Sequence, residues 1–196
     1  MKKVVLFFAF LFTATCCFAE GHLLFKGMEI DGNISQFTRK LEAQGFQKVY
    51  TTDEGDACML KGNFAGFNEC SVAILSTPNE HIVWKVAVYL PAQTSWYALE
   101  TRYEEFKRSL EEKYGKPDFD SHYFNSPYYE GDGYELQALN SDKCNYMAGF
   151  GAGNGVVYIE LDGAGYGKGE VRISYEDDAN KALKNADKKN SMSSDL

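Results

Sequence analysis

One stretch, from Ser95 to Pro117, has the periodicity of a long amphipathic helix. Its apolar residues recur at steps of three and four and so line one side of a helix with 3.6 residues per turn; they are Trp96, Leu99, Tyr103, Phe106, Leu110 and Tyr114. Thr94 or Ser95 can supply the N-cap oxygen, and Gly115 followed by Pro117 ends the helix. About 20 residues make a rod of roughly 30 Å, so the rest of the chain must fold around it.

The first 19 residues have the pattern of a signal peptide. Two lysines precede an apolar run from Val4 to Phe12, and Cys17-Phe18-Ala19 fits a cleavage site before Glu20. The run is shorter than the roughly 20 apolar residues that a membrane-spanning helix needs. We therefore expect export to the periplasm or out of the cell, with no transmembrane segment. Lipid attachment at Cys16 or Cys17 is disfavoured, because neither cysteine follows Gly, Ala or Ser.

Composition limits the classes of partner. The formal net charge is −8, and it becomes −10 once the two lysines of the predicted signal peptide are removed. This charge disfavours nucleic acids and anionic membranes as partners. Aromatic residues make up 15% of the chain, with 13 tyrosines among them. Strand cores use aromatic residues, and exposed tyrosines are common in binding surfaces, so we expect both uses here.

The order of predicted elements occurs twice along the chain. A short helix with Ile34, Phe37 and Leu41 on its apolar side, capped by Asp31 or Asn33, precedes strand-like runs at 46–52, 57–62, 68–76 and 81–90. The long helix precedes runs at 119–124, 134–139, 143–150, 156–161 and 170–175. We therefore predict two tandem helix-plus-four-strand units, residues 20–92 and 93–176, although the second contains five strand-like runs. A short helix around 180–188 and a disordered tail are predicted for residues 177–196.

The run 81–90 alternates as a half-buried strand does. Its predicted core face is formed by Ile82, Trp84, Val86, Val88 and Leu90, and the long helix is expected to pack on Trp84, Val86 and Val88. The predicted fold class is α+β. A single antiparallel sheet carries two helices on one face and leaves the other face open.

Several phrases in the chain resemble those of small exported bacterial proteins of uncharacterised function. They are KGMEIDGNISQF (26–37), LKGNFAGF (60–67), KYGKP (113–117), EGDGYELQAL (130–139) and ISYEDDAN (173–180). The tandem arrangement of helix and antiparallel sheet is also similar to the fold of the β-lactamase inhibitor proteins. The first resemblance implies export, the second implies one concave sheet built from two units, and neither implies a catalytic residue.

Three cysteines remain after the predicted cleavage: Cys58, Cys70 and Cys144. An oxidising compartment permits a disulfide, and their spacings match no zinc pattern. The runs 57–62 and 68–76 should pair antiparallel around Phe64, which would place Cys58 opposite Cys70, close enough for a bridge. The alternative is three small buried thiols.

No stretch has the pattern of a catalytic or cofactor site. His22, His81 and His122 form no metal-binding spacing, and no nucleophile motif such as GxSxG is present. The glycine-rich run 149–155 lacks the Lys-Ser/Thr ending of a phosphate loop and is typical of a hairpin. We therefore predict no catalytic residue, no metal and no cofactor.

The remaining hypothesis is a binding surface. Strand alternation predicts Tyr89, Tyr158 and Arg172 on the open face, near the aromatic turn Tyr128-Tyr129. Tyrosine and arginine are the residue types that anchor protein interfaces. The leading function is thus an exported, non-catalytic module that binds an unknown protein or glycan through this face or these aromatic turns. The alternative is a structural or envelope-assembly accessory protein without a dedicated ligand site.

Overall fold

The computed structural model describes residues 21–194, so the predicted signal peptide, with Cys16 and Cys17, lies outside the described residues. The described helices are α1 (Ile34–Ala43), α2 (Trp96–Tyr114), α3 (Glu135–Asn140) and α4 (Asp178–Ser194). A small hairpin is formed by β1 (Leu24–Phe25) and β2 (Met28–Glu29). The main strands are β3 (Gln47–Thr51), β4 (Ala57–Phe64), β5 (Phe67–Ser76), β6 (Val83–Tyr89), β7 (Phe119–Phe124), β8 (Cys144–Gly151), β9 (Gly155–Gly165) and β10 (Lys168–Asp177).

The eight main strands form one antiparallel sheet in the order β3-β4-β5-β6-β10-β9-β8-β7. Four strands that follow α1 make one half, and four strands that follow α2 make the other half. The halves meet where β6 pairs with β10, for example at Val88 opposite Ile173. The predicted α+β class with one large antiparallel sheet is therefore confirmed.

Local chemistry explains where the two predicted helices begin and end. The side-chain oxygen of Asn33 accepts the Ser35 amide at 3.0 Å, and Ser95 Oγ accepts the Ala98 amide at 3.4 Å. Each bond satisfies an amide that the first turn leaves without a helical partner. Gly115 ends α2 at a φ of +89°, which a residue with a Cβ adopts only at a cost.

Helices α1, α2 and α3 lie on one face of the sheet and enclose a single apolar core. Among the helical residues, Phe37, Leu41, Leu99, Tyr103 and Leu139 are buried. They meet buried residues that alternate along the strands, including Leu60, Val72, Val86, Val157, Ile159, Val171 and Ile173. These buried residues of β9 and β10 alternate with Tyr158 and Arg172, which the strand alternation predicts on the opposite face. We call the opposite side of the sheet the second face.

The predicted alternation of 81–90 fails at its beginning. Val86, Val88 and Leu90 are buried as predicted, but Val83 is also in the core and Trp84 is not. The register against β5 shifts between the pairs Leu75–Lys85 and Ser76–Val83, so Trp84 is an extra residue in a bulge. The half-buried Trp84 ring lies 5.0 Å from Lys184 Nζ of α4. The predicted contact between α2 and Trp84 is wrong, since α2 lies against β8, β9 and β10.

Residues 134–139 form most of helix α3 and not a strand as predicted. Glu135, Ala138 and Leu139 are buried, at the spacing of one side of a helix. The second half of the chain therefore has an additional helix between β7 and β8, with four strands in the main sheet.

Helix α4 follows β10 directly and is longer than the predicted helix around 180–188, since it continues to Ser194 where disorder was predicted. Its Asn180 side-chain amide donates to the carbonyls of Ile30 and Val83, each at 3.0 Å. Lys181 Nζ lies 2.6 Å from Glu176, whose other oxygen binds Lys85 of β6 at 2.9 Å. Helix α4 thus borders the second face beside Glu176 and Lys85, whereas the predicted open face has no helix next to it.

The predicted disulfide between Cys58 and Cys70 is wrong, and the described cysteines are free thiols. Cys58 lies opposite Ile74, and Cys70 lies opposite Gly62. The two cysteines are therefore about four strand residues, roughly 13 Å, apart along the hairpin. The cause is the turn: Ala65 and Gly66 both have positive φ, as a two-residue type I′ turn requires, and the register shifts again between Gly62 and Phe64. Both thiols do point into the core.

Candidate functional site

Three of the predicted site residues share the second face. One row of this face crosses all eight strands from β3 to β7, through Tyr50, Met59, Ala73, Ala87, Ser174, Tyr158, Gly149 and Phe119. The next row contains Arg172, with Tyr89 on one side and Glu160 on the other. Alternation along β6, β9 and β10 therefore brings Tyr89, Tyr158 and Arg172 together as predicted.

Arg172 is already bound by carboxylates of its own sheet. Its guanidinium lies 2.7 Å from Glu160 Oε1 and 2.7 Å from Asp162 Oδ2. The hydrogen bond to Glu160 is the main reason that the pKa of Arg172 is raised above its ordinary value. The charged carbon also lies 5.8 Å from the ring centre of Tyr89. A partner that bound Arg172 would have to compete with these contacts, so this residue is a poor anchor.

Tyr158 is held between strands. Its ring lies 6.1 Å from that of Phe119 on the edge strand β7. It is half-buried, and Ser174 beside it is fully buried with no hydrogen-bond partner for its hydroxyl. The side chains at the centre of the second face therefore pack against one another. They leave few accessible polar groups for a ligand.

The aromatic turn Tyr128-Tyr129 does not join this face. The turn belongs to residues 125–134, which we call the tyrosine loop. Glu130 of the loop lies 3.4 Å from His122 Nε2, and His122 is in register with Tyr146. Tyr146 is buried in the core below α2. The loop is therefore on the helix side of the sheet, and its predicted proximity to Tyr89 and Arg172 is wrong.

Hydrogen bonds from backbone amides to two side-chain carboxylates hold the tyrosine loop in a defined shape. Asp132 accepts the amides of Tyr129 at 3.1 Å and Tyr134 at 2.7 Å through its two oxygens. Glu135 accepts the Gly131 amide at 3.1 Å. Each bond satisfies an amide that a turn would otherwise leave to water. The loop therefore presents its rings from a fixed frame.

The rings surround a concavity of about 370 Å³. It is lined by Pro127, Tyr128, Tyr129, Asp132, Tyr134 and Gln137. The side chains of Tyr129 and Tyr134 are 66% and 61% exposed. Tyr134 and Gln137 were not predicted as site residues, because 134–139 was interpreted as a strand. The helix-forming composition of 135–139 is the sequence signal for this helix, because a run this short is not identified by apolar spacing alone.

Acidic groups surround an aromatic cluster behind the loop. The Tyr146 hydroxyl donates to Glu100 at 3.1 Å, and the Tyr146 ring lies 5.3 Å from Trp96. Burial and Glu100 raise the pKa of Tyr146 far above its ordinary value. Burial, with Glu100 and Glu135 nearby, raises the pKa of the Cys144 thiol to about 12. Cys144 is therefore protonated at neutral pH and is not an activated nucleophile.

The histidines lie in three different places. His22 Nδ1 lies 3.1 Å from Asp177, His122 contacts Glu130, and His81 lies in the turn between β5 and β6. Within residues 21–194, no group of three or more His, Cys, Asp or Glu side chains is arranged to hold a metal ion. No helix in this part of the chain is long and apolar enough to cross a membrane.

Comparison with known proteins identifies no relative of the chain. No protein-family model, curated protein or solved structure matches the chain.

Proposed function

We propose that the chain is an exported, non-catalytic binding module whose ligand site is the tyrosine loop, and that the ligand is a glycan. One observation carries the proposal: three tyrosines and a proline surround a concavity of about 370 Å³, with two of the rings more than half exposed. This volume is within the range of small-ligand sites, roughly 300–1,000 Å³. Exposed apolar groups gathered in one patch commonly mark an interaction site.

A sugar fits the chemistry of this lining. The C–H face of a sugar ring can lie on a tyrosine ring, while its hydroxyls bond to polar groups at the rim. The Tyr129 and Tyr134 hydroxyls and the exposed Gln137 amide are such groups. Glu130 and Asp132 add negative charge at the loop, which disfavours acidic sugars. The expected ligand is therefore a neutral or amino sugar.

The fixed loop favours useful affinity. Ordering a flexible side chain at an interface costs about 0.5–1.5 kcal/mol. Ordering a loop on binding adds a further cost. The Asp132 and Glu135 hydrogen bonds reduce this loop-ordering cost, because they hold the loop backbone before a ligand binds. Tyrosine has few rotatable bonds and loses little freedom when a ligand covers it.

Calorimetric titration with neutral, amino and acidic oligosaccharides tests the proposal. The double variant Tyr129→Ala and Tyr134→Ala should weaken binding by at least about tenfold, since each ring supplies contact area. Tyr166→Ala is the matched control, because Tyr166 is a fully exposed tyrosine outside the loop. Binding that survives the double variant, or no binding to any of the sugars, would contradict the proposal.

A second candidate is a structural or envelope-assembly accessory without a ligand site. The pairing of Arg172 with Glu160 and Asp162 favours it, because the second face then neutralises its own charge. If a protein partner instead used this face, Tyr89→Ala with Arg172→Ala should weaken its binding by over about 2 kcal/mol. Unchanged capture of envelope partners by that double variant supports the accessory role. Export itself is tested by the mass of the mature N-terminus, expected at Glu20.

We also infer that the two halves are copies of one unit, in the manner of the β-lactamase inhibitor proteins that the chain resembles. The element order supports this: one helix and four consecutive strands occur in each half, and α3 is an insertion in the second half. An experimental structure in which α1 with β3–β6 fails to superpose on α2 with β7–β10 would contradict the duplication.

A further inference from the structure

The two edges of the main sheet differ in how well they are protected. Strands β3 and β7 are the outermost strands, and no further strand in the described part of the chain lies beyond either. Proteins commonly protect such edges with bulges, lysines or prolines, because free backbone groups attract another strand. The register of β3 shifts between Lys48 and Tyr50, which gives it both a bulge and a lysine.

Between Phe119 and Phe124, strand β7 has no bulge, no lysine and no proline. Its six residues pair with β8 in an unbroken register from Phe119 to Phe124, and they include no proline and no lysine. Phe119 is 42% exposed and Tyr123 is 50% exposed, and both side chains lie on the second face. The Asn125 amide donates to the Lys143 carbonyl at 2.7 Å. By the alternation of antiparallel pairs, the backbone groups of Asp120 and His122 then point away from β8.

We propose that β7 is a self-association edge, on which two copies of the chain pair antiparallel about a two-fold axis at Ser121. In this register Phe119 lies opposite the partner's Tyr123, and Asp120 lies opposite the partner's His122. The outward backbone groups of Asp120 and His122 thus meet each other as hydrogen-bonded pairs. The eight-stranded sheets join into one sheet of both copies.

The side chains in this register are complementary on both faces. On the second face, Phe119 and the partner's Tyr123 form an aromatic cross-strand pair, and the axis generates the pair twice. On the helix side, Lys107 contacts Asp120, and Glu130 contacts His122. The sequence of groups across the edge is therefore Lys107, Asp120, the partner's His122 and the partner's Glu130. Its members can alternate in charge, and no two like charges are opposite each other.

A head-to-tail contact of β7 with β3 of another copy is a poorer solution. It would bring the unbroken edge against the bulge of β3, and a heterologous contact continues without closing. The two-fold contact uses the unprotected edge of both copies and closes as a dimer.

Sedimentation velocity of the purified protein over a range of concentrations tests the proposal. The native chain should show a reversible dimer. Ser121→Lys places two lysines face to face at the axis, and it should weaken the dimer by at least about tenfold. Tyr50→Lys is the matched control, because it adds the same charge at an exposed position on the same face of the opposite edge strand, in register with the uncharged Met59. Its dimer should equal that of the native chain.

A cross-link gives a second measurement that does not depend on lost affinity. Residues opposite each other in antiparallel strands lie about 4.5–5.5 Å apart at Cα, which suits a disulfide. Ser121→Cys should therefore form a covalent dimer on mild oxidation, above the background of the native thiols, while Gln47→Cys should not. A chain that stays monomeric at every concentration, a dimer indifferent to Ser121→Lys, or a cross-link through position 47 would each overturn the proposal.

Discussion

Phe46 lies with its ring directly against Gly62 on the core face of β4. Any Cβ at position 62 would overlap the ring atoms of Phe46. Gly62→Ala should therefore destabilise the protein by about 1–3 kcal/mol, the usual cost of overpacking. Urea unfolding measures this difference. Lys61→Ala is the neighbouring control and should stay within about 0.5 kcal/mol of the native value, since Lys61 is an exposed residue.

Asn180 connects α4 to the rest of the fold. Its buried amide nitrogen carries two hydrogens and lies 3.0 Å from each of three acceptors, Ile30 O, Val83 O and Asp31 Oδ1. Asn180→Ala leaves two carbonyl groups without this donor, and we expect a loss of roughly 2–4 kcal/mol in unfolding free energy. Asn185→Ala on the exposed side of α4 should change it by less than about 0.5 kcal/mol. Equal effects of the two variants would mean that the Asn180 contacts contribute little.

The thiols provide a direct test of the β4–β5 register. Because Cys58 is opposite Ile74 and Cys70 is opposite Gly62, the two cannot be bridged without a shift of the strands. We expect Cys58, Cys70 and Cys144 all to react with a thiol reagent in the denatured, unreduced protein that begins after residue 19. Cys58 and Cys70 should be slow to react in the native protein, since both are buried. One reactive thiol after denaturation would contradict this register.

His22 should make stability depend on pH. Burial lowers the pKa of His22, but the hydrogen bond and charge of Asp177, with Asp31 and Glu29 nearby, outweigh it, so the pKa is raised above 6.5. The protonated state is therefore favoured by folding. Its contribution is complete below pH 6.5 and is lost as pH rises through the higher folded-state pKa. NMR titration of His22 should show the raised value.

The matched variant for this prediction is His22→Ala. It removes the titrating group and should flatten the fall in unfolding free energy as pH rises from 6.5 through the folded-state pKa of His22. A native stability that does not fall over this interval would contradict the prediction. An unchanged fall in the variant would assign the pH dependence to another group.

Local signals in the sequence predicted those parts of the fold that local chemistry determines. The bounds of α2 depend on the apolar spacing, Ser95 and Gly115, all of which are visible in the chain. The inward residues of β9 and β10 were predictable because these strands have regular alternation over their central residues. The same was true of the shared face of Tyr89, Tyr158 and Arg172.

The wrong predictions have three physical causes. A bulge at Trp84 and a two-residue turn at Ala65-Gly66 each change the register, and neither leaves a clear mark on hydrophobic spacing. A run of six residues such as 135–140 is too short for periodicity to separate a strand from a helix. The position of the tyrosine loop depends on the contact of Glu130 with His122 on a neighbouring element, which no local pattern contains.

Strand β10 ends at Asp177, yet it occupies the centre of the sheet beside β6. During synthesis, strands β3 to β6 are therefore complete long before β10, which pairs with β6, has been made. Such a fold has a high contact order, and its two halves cannot join until β10 has been synthesised. A chain truncated before residue 168 would lack β10. The edge of β6, at the middle of the sheet, would then be exposed to aggregation.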